Sequence, residues 1–284
     1  MKRRIVVFLA SLGLALATNQ ASAQSVSSIY EPFAYTVAGE LDGNNGGTGG
    51  GGNAWGSYLG TANPQDYVIA SGSLSDPTHT LLTSGNMVST IAPGAGFDGR
   101  YFGYLPGQGN TGSNLFYSIL IQPSNLGITT NVANAGDGAF GLQLFGGGGQ
   151  NGVFVGVSGN NANWALGEGS ITSASTVPAV SNVTAFLAVE VEYGASTDTE
   201  LLYVNPTPGA AQPGTPSATL VYNIGNQNGL GIATYNGAEA NFDEIRGGTT
   251  WAYVTPVPEP SAFVLAAFGI ASLFGLRLRK GARR

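Results

Sequence analysis

The chain has 284 residues, with 10 Lys+Arg, 16 Asp+Glu, one His, 45 Gly and no Cys. Charged residues make up 9%, against roughly 25% in an average soluble domain, and with the glycine excess this excludes coiled coils, helical bundles and charge-driven disorder. The missing cysteine excludes a disulfide framework, a thiolate zinc site, an iron–sulfur cluster and a thiol nucleophile, leaving an apolar, aromatic-containing chain that favours all-β.

The N-terminus opens on Lys2, Arg3 and Arg4, continues with a 13-residue apolar run over 5–17 and reaches Ala21-Ser22-Ala23. A charged start, an apolar middle and a small-x-small site predict a secretory signal peptide over 1–23, cut after Ala23 with Ala21 and Ala23 as the recognised residues. Its helix is too short to span a hydrocarbon core of about 30 Å.

Residues 24–256 form the predicted exported domain. Two bases, Arg100 and Arg246, stand against fifteen acids, a net charge of −13, and there is no Lys. Binding to phosphate backbones needs Lys and Arg, so nucleic acid is excluded as a partner. Short runs rich in Val, Ile, Phe and Tyr, bounded by Gly, Asn or Pro, predict strands over 101–105, 115–122, 139–145, 153–157, 185–193, 199–204, 230–235 and 240–246. In 185–193, Leu187, Val189, Val191 and Tyr193 alternate with Phe186, Ala188, Glu190 and Glu192, which predicts a half-buried strand with a wet face. Turn-punctuated strands without a 3.6-residue period point to an antiparallel β-sandwich or jelly roll.

Chemical candidates in this region are few. Residues 47–52 satisfy G-x-G-x-x-G, but no strand–helix context, acidic ribose partner or phosphate Lys accompanies them; they read as a glycine loop, as does 146–149. Glu190 and Glu192, two apart on a strand, would sit roughly 6.5–7 Å apart, near the carboxylate separation of an inverting glycosidase. His79 is the single histidine, in a loop, with no Gly-x-Ser-x-Gly elbow to serve. No transition-metal site is expected, and no cofactor; a structural calcium is left open, with Asp42 near Asn44 and Asn45, or Asp137 near Asn134, as donors. Of Trp55, Trp164 and Trp251, Trp164 lies in an Asn-rich turn and is the candidate for contact with a sugar; Trp251 is expected to pack. Arg100 and Arg246 are each expected to pair with a carboxylate, Arg246 beside Asp243 and Glu244.

The C-terminus carries Val257-Pro258-Glu259-Pro260-Ser261, an apolar run over 262–276, and a basic end with Arg277, Arg279, Lys280, Arg283 and Arg284. The prolines bar helix upstream. The apolar run, about 22 Å long as a helix at 1.5 Å per residue, predicts a short transmembrane helix lengthened by snorkelling side chains. Its basic end stays cytoplasmic by the positive-inside rule, so the domain faces outward, in agreement with the signal peptide.

The order Val-Pro-Glu-Pro-Ser, apolar helix, basic tail over 257–284 resembles the PEP-CTERM protein-sorting signal of Gram-negative bacteria. The resemblance implies handling by an exosortase, cutting near Pro258-Glu259-Pro260-Ser261, and association with exopolysaccharide or biofilm. Three further stretches, Tyr30-Glu31-Pro32-Phe33-Ala34-Tyr35 with 41–49, Leu202-Tyr203-Val204-Asn205-Pro206-Thr207-Pro208, and Asn241-Phe242-Asp243-Glu244-Ile245-Arg246-Gly247-Gly248-Thr249-Thr250-Trp251, resemble exported bacterial domains with a concanavalin A-like (laminin-G-like) jelly roll. That implies two curved antiparallel sheets with the first and last strands adjacent. Glycosidases of this fold use a Glu-x-Asp-x-x-Glu pattern, and Glu190-Val191-Glu192-Tyr193-Gly194-Ala195 lacks its Asp and final Glu. The expectation is therefore a non-enzymatic surface or matrix protein, anchored in the inner membrane before processing and then at the cell surface or outside, with an exosortase, the membrane and an extracellular polysaccharide as partners. A carbohydrate-binding module is the alternative.

Overall fold

A computed structural model describes residues 28–49, 54–57, 67–91, 96–101, 105–127, 138–145, 152–158, 162–168, 171–225, 227, 229–235 and 237–258. The strands are β1 (Ile29–Glu31), β2 (Gly56–Ser57), β3 (Tyr67–Ala70), β4 (Met87–Thr90), β5 (Gly96–Tyr101), β6 (Asn114–Asn125), β7 (Gly138–Phe145), β8 (Phe154–Ser158), β9 (Asn163–Glu168) and β10 (Ile171–Pro178). They continue with β11 (Ala185–Glu192), β12 (Asp198–Val204), β13 (Ala218–Tyr222), β14 (Gly229–Thr234) and β15 (Glu239–Gly248), followed by one helical turn, α1 (Trp251–Val254).

Two antiparallel sheets form a sandwich. One runs β13-β12-β11-β6-β15-β4-β3, with β1 also paired to β15; the other runs β10-β9-β8-β7-β14-β5-β2. The first and last strands are thus hydrogen-bonded, Ile29 opposite Gly247 and Glu31 opposite Ile245. Inward-facing Leu115, Tyr117, Ile119 and Ile121 of β6 meet Leu187, Val189 and Val191 of β11, and across the sandwich Leu142, Leu144, Val155, Val157 and Ile232. Period-2 alternation puts each set on one face.

The second sheet explains much of the glycine. In β14, Leu230 and Ile232 point into the core, while Gly229 and Gly231 leave the other face bare. Phe145 of β7 and Phe97 of β5 lie on those bare positions, so close that a Cβ at Gly229 or Gly231 would fall 2.1 or 2.2 Å from a ring carbon. The two rings meet edge to face at 5.3 Å, a favoured aromatic geometry.

Six of the eight predicted strands lie within two residues of the observed ones at each end; the strand predicted over 115–122 runs on to Asn125 as β6. Of the strand predicted over 101–105, Tyr101 ends β5, Leu105 is outside any strand and 102–104 lie outside the described residues; the rest of β5, Gly96–Arg100, was not predicted because its glycines mask the pattern. Strands β1, β2, β3, β4, β9, β10 and β13 fall outside the predicted set; most are short or polar, although β3 reads Tyr-Val-Ile-Ala. The wet face predicted for β11 is a correction: every residue from Ala185 to Val191 is buried. Its outer face is roofed by α1, by the loop carrying Gln212, and by Leu74 and Leu81, which rest on Leu120 and Phe186. Among the described residues no helix is long and apolar enough to cross a membrane; the signal segment 1–23 and the run 262–276 lie outside them.

Candidate functional site

The chain leaves the sandwich through a short strap. Trp251 in α1 packs edge-on against Tyr203 and Phe116 at 5.1 and 6.2 Å, and its indole N–H donates to the Ala210 carbonyl at 3.1 Å. The Ser118 hydroxyl donates to the Val254 carbonyl at 2.7 Å. Beyond the helix, the Gly209 N–H donates to Thr255 O at 2.8 Å and the Leu82 N–H to Pro256 O at 3.0 Å. Val257 lies over Gly209, where a Cβ would come within 2.8 Å of its methyl carbon. Pro258 follows at once; Glu259, Pro260, Ser261 and the basic residues Arg277, Arg279, Lys280, Arg283 and Arg284 lie outside the described residues, as do Ala21 and Ala23.

Both bases of the domain are buried in ion pairs. Arg100 donates to Glu31 Oε2 at 2.9 Å, to the Tyr35 hydroxyl at 3.4 Å and to Gly46 O at 2.8 Å. Glu31 also accepts from the Phe33 N–H, the Tyr35 hydroxyl and the Trp55 indole at 2.9, 2.7 and 3.0 Å. Arg246 donates to Glu244 Oε2 at 2.5 Å and to Leu82 O at 2.8 Å, with its guanidinium 4.0 Å over the Tyr30 ring. A bulge makes that arrangement. Three residues of β15 from Asp243 to Arg246 advance against two of β6, with Glu244 at φ 55°. The extra residue turns Arg246 out of the core, toward Tyr30.

Asp243, wholly buried, accepts the Leu74 and Glu244 N–H groups at 2.8 Å each. Burial pushes its carboxyl up to about 9, the Glu244 charge adding to the rise and the two N–H donors opposing it. An acid raised in the fold keeps its proton where the unfolded chain, near 3.8, has lost it. Stability therefore falls as pH climbs from about 4 toward 9. Asp243→Asn is expected to flatten that slope; urea midpoints at pH 5 and pH 9 measure it, and parallel slopes for parent and variant would contradict the assignment.

The other candidates sit as follows. Glu190 is 5% exposed; it accepts from Asn114 Nδ2 at 2.6 Å and from Gln212 Nε2, which also donates to the Tyr203 hydroxyl at 2.8 Å. Glu192 is half-buried. His79 is exposed at φ 56°, in a loop built around Asp76, which accepts the Thr78, Thr80 and Leu81 N–H groups. Trp164 is a correction: it belongs to β9, not to a turn, is 2% exposed and meets Phe140 edge-on at 5.8 Å. Its flanking asparagines hid a strand whose alternate residues, Trp164 and Leu166, face the core. Among the described residues the one exposed aromatic is Tyr222, 37% exposed on edge strand β13, and no three acidic or histidine side chains converge.

The fold defines a β-sandwich followed by an appended tail. That tail, residues 256–280, matches the PEP-CTERM protein-sorting motif, so the chain carries a signal for exosortase-dependent export with membrane-anchored sorting before processing. No curated protein matches the chain in sequence. Among solved structures it is similar to the globular domain of T. cruzi calreticulin, at 9% identity and TM-score 0.38, covering 76% of this chain and 96% of that one. It is also similar to the catalytic domain of a glycoside hydrolase family 131 protein from Coprinopsis cinerea, at 15% identity and TM-score 0.37, covering 82% and 88%. An endo-1,3-beta-glucanase from Streptomyces sioyaensis aligns at 12% identity and TM-score 0.33, covering 82% and 90%.

Proposed function

We propose that the chain is a non-enzymatic exported protein of the cell surface or extracellular matrix, released from its anchor by an exosortase and held in an exopolysaccharide or biofilm. The observation that carries this reading is the junction at Pro256: the sorting motif begins at the residue whose carbonyl makes the strap's last hydrogen bond to the body. Function is thereby divided between a sandwich that ends at the strap and a tail that addresses it. The non-enzymatic reading is supported by Glu190, held by Asn114 and Gln212, and by Glu31 and Glu244, each tied into an ion pair.

With Arg100 and Arg246 both buried, residues 24–256 have no lysine or arginine to set at the surface against their acids. A polyanionic glycan would be repelled unless divalent cations bridged it, so an uncharged polymer is the favoured partner. The test is expression of the full chain in a Gram-negative host with and without its exosortase. The expected result is a released species lacking the tail only when the exosortase is present, and membrane retention for a Pro258→Ala, Glu259→Ala, Pro260→Ala triple variant. Equal release in all three cases would sink the proposal. Binding of the released protein to one defined oligosaccharide on a glycan array would move the reading to a carbohydrate-binding module.

A further inference from the structure

The two sheets end on β13 and β3 and on β10 and β2, and three of these four edges are guarded. The outer edge of β3 is paired with the 38–41 segment: the Ala38 N–H donates to Ile69 O at 2.8 Å, the Ile69 N–H to Gly39 O at 2.9 Å and the Leu41 N–H to Tyr67 O at 3.0 Å. The same segment runs on to the other sheet just ahead of β2, where the Gly43 N–H donates to Trp55 O at 2.9 Å and the Trp55 N–H to Asn44 O at 2.8 Å. Edge strand β10 is broken by a bulge between Ala174 and Pro178. There the Ser175 hydroxyl accepts the Val177 N–H at 3.1 Å and donates to Val177 O at 3.3 Å. Covering segments, bulges and prolines keep a sheet edge from pairing with another chain.

Strand β13 has none of these guards. It pairs with β12 over Ala218–Tyr222 without a register shift, and it contains no proline and no charge. Among the described residues, no main-chain group outside β12 bonds to it. Thr219, Val221 and Tyr222 are exposed, Val221 at 58%. An uncharged strand rich in β-branched and aromatic residues, with an open row of N–H and C=O groups, is a template for one more strand.

Charge selects which strand that is. Residues 24–256 carry a net charge of −13, yet 201–238 hold no charged residue at all. Asp198 and Glu200 of β12, opposite Tyr222 and Leu220, are buried. A cationic partner would be drawn to the acidic faces elsewhere, whereas a second copy of this chain, repelled by those faces, can come close at this one. The strand is also complementary to itself. Turned about a two-fold axis at Leu220, it sets Thr219 against the second copy's Val221 and Ala218 against the second copy's Tyr222. Such a contact is isologous, and its β-branched cross-strand pairs are favourable.

We propose that β13 is a self-association edge, where two copies of the chain join antiparallel β13 strands about a two-fold axis at Leu220 and so merge their sheets. Both copies are acidic, so the dimer tightens as salt screens their repulsion.

The experiment uses the full-length chain in a non-ionic detergent. Because the chain has no Cys, Thr219→Cys and Val221→Cys each introduce a single thiol. Under mild oxidation a mixture of these two variants is expected to cross-link at least about tenfold faster than Thr219→Cys mixed with the exposed-loop variant His79→Cys, since only directly opposed residues reach disulfide distance. Sedimentation should show the dimer fraction rising between about 0.05 and 0.5 M salt. Val221→Glu should keep the parent's melting temperature and weaken association at least about tenfold, because it sets like charges at the joint. Ile91→Glu, at a residue 57% exposed outside this edge, should leave association unchanged. Cross-linking equal in the two mixtures, or a dimer that Val221→Glu leaves intact, would overturn the proposal. So would a chain that stays monomeric at both salt concentrations, which would leave the edge to a strand of another protein.

Discussion

Glu31→Ala is expected to destabilise the domain by about 3–5 kcal/mol, because it removes one partner of a buried ion pair and strands the other. Glu31 is wholly buried and gathers four donors, from Phe33, Tyr35, Trp55 and Arg100. Together these tie the 33–35 segment after β1, Trp55 just before β2, and β5 of the opposite sheet to one carboxylate. A paired change, Glu31→Leu with Arg100→Met, should recover most of the loss, since apolar replacement of a whole buried pair is often neutral or better. Denaturant unfolding of the single and double variants measures it. A single variant as stable as the parent would dismiss Glu31 as an organising group.

Gly156→Ala is expected to cost about 3 kcal/mol or more, at or above the upper end for overpacked sites. Gly156 in β8 stands opposite Gly141 in β7. A Cβ on Gly156 would fall 2.1 Å from the Phe140 carbonyl oxygen, and one on Gly141 2.5 Å from the Val155 oxygen. Both obstacles are backbone, so relief requires the strands to part and the ladder to weaken. Gly214→Ala, where a Cβ meets nothing within 4 Å, is the control and should shift stability by less than about 0.5 kcal/mol. Thermal melts of the two variants side by side decide the matter.

The features legible in the sequence are those encoded locally. Signal-like and sorting-like ends are contiguous patterns of charge and apolarity, and the central strands β6, β7, β11 and β15 carry their own alternation. Arg246 beside Glu244 was legible for the same reason, the partners being two residues apart. What could not be read was decided by contacts far along the chain. Glu190 looks solvated because its own strand alternates; the side chains that hold it, Gln212 and Asn114, stand 22 and 76 positions away. Arg100 finds Glu31 across 69 positions. Trp164 was misplaced because asparagines on either side imitate a turn, while the core that claims it is assembled from other strands. The bulge at Glu244 leaves no composition signal either, since a glutamate at φ 55° is imposed by its neighbours.

The stitching of Thr255 and Pro256 to the body sets a clearance. Only residues 258–261 separate Val257, resting on Gly209, from the apolar stretch that starts at Ala262. Fully extended, four residues reach no more than about 14 Å. Were residues 262–276 the membrane anchor, a domain tethered so closely would ride on the lipid headgroups, and an enzyme reaching the tail would have to work in the gap beneath it or first unpick the final stitch at Leu82.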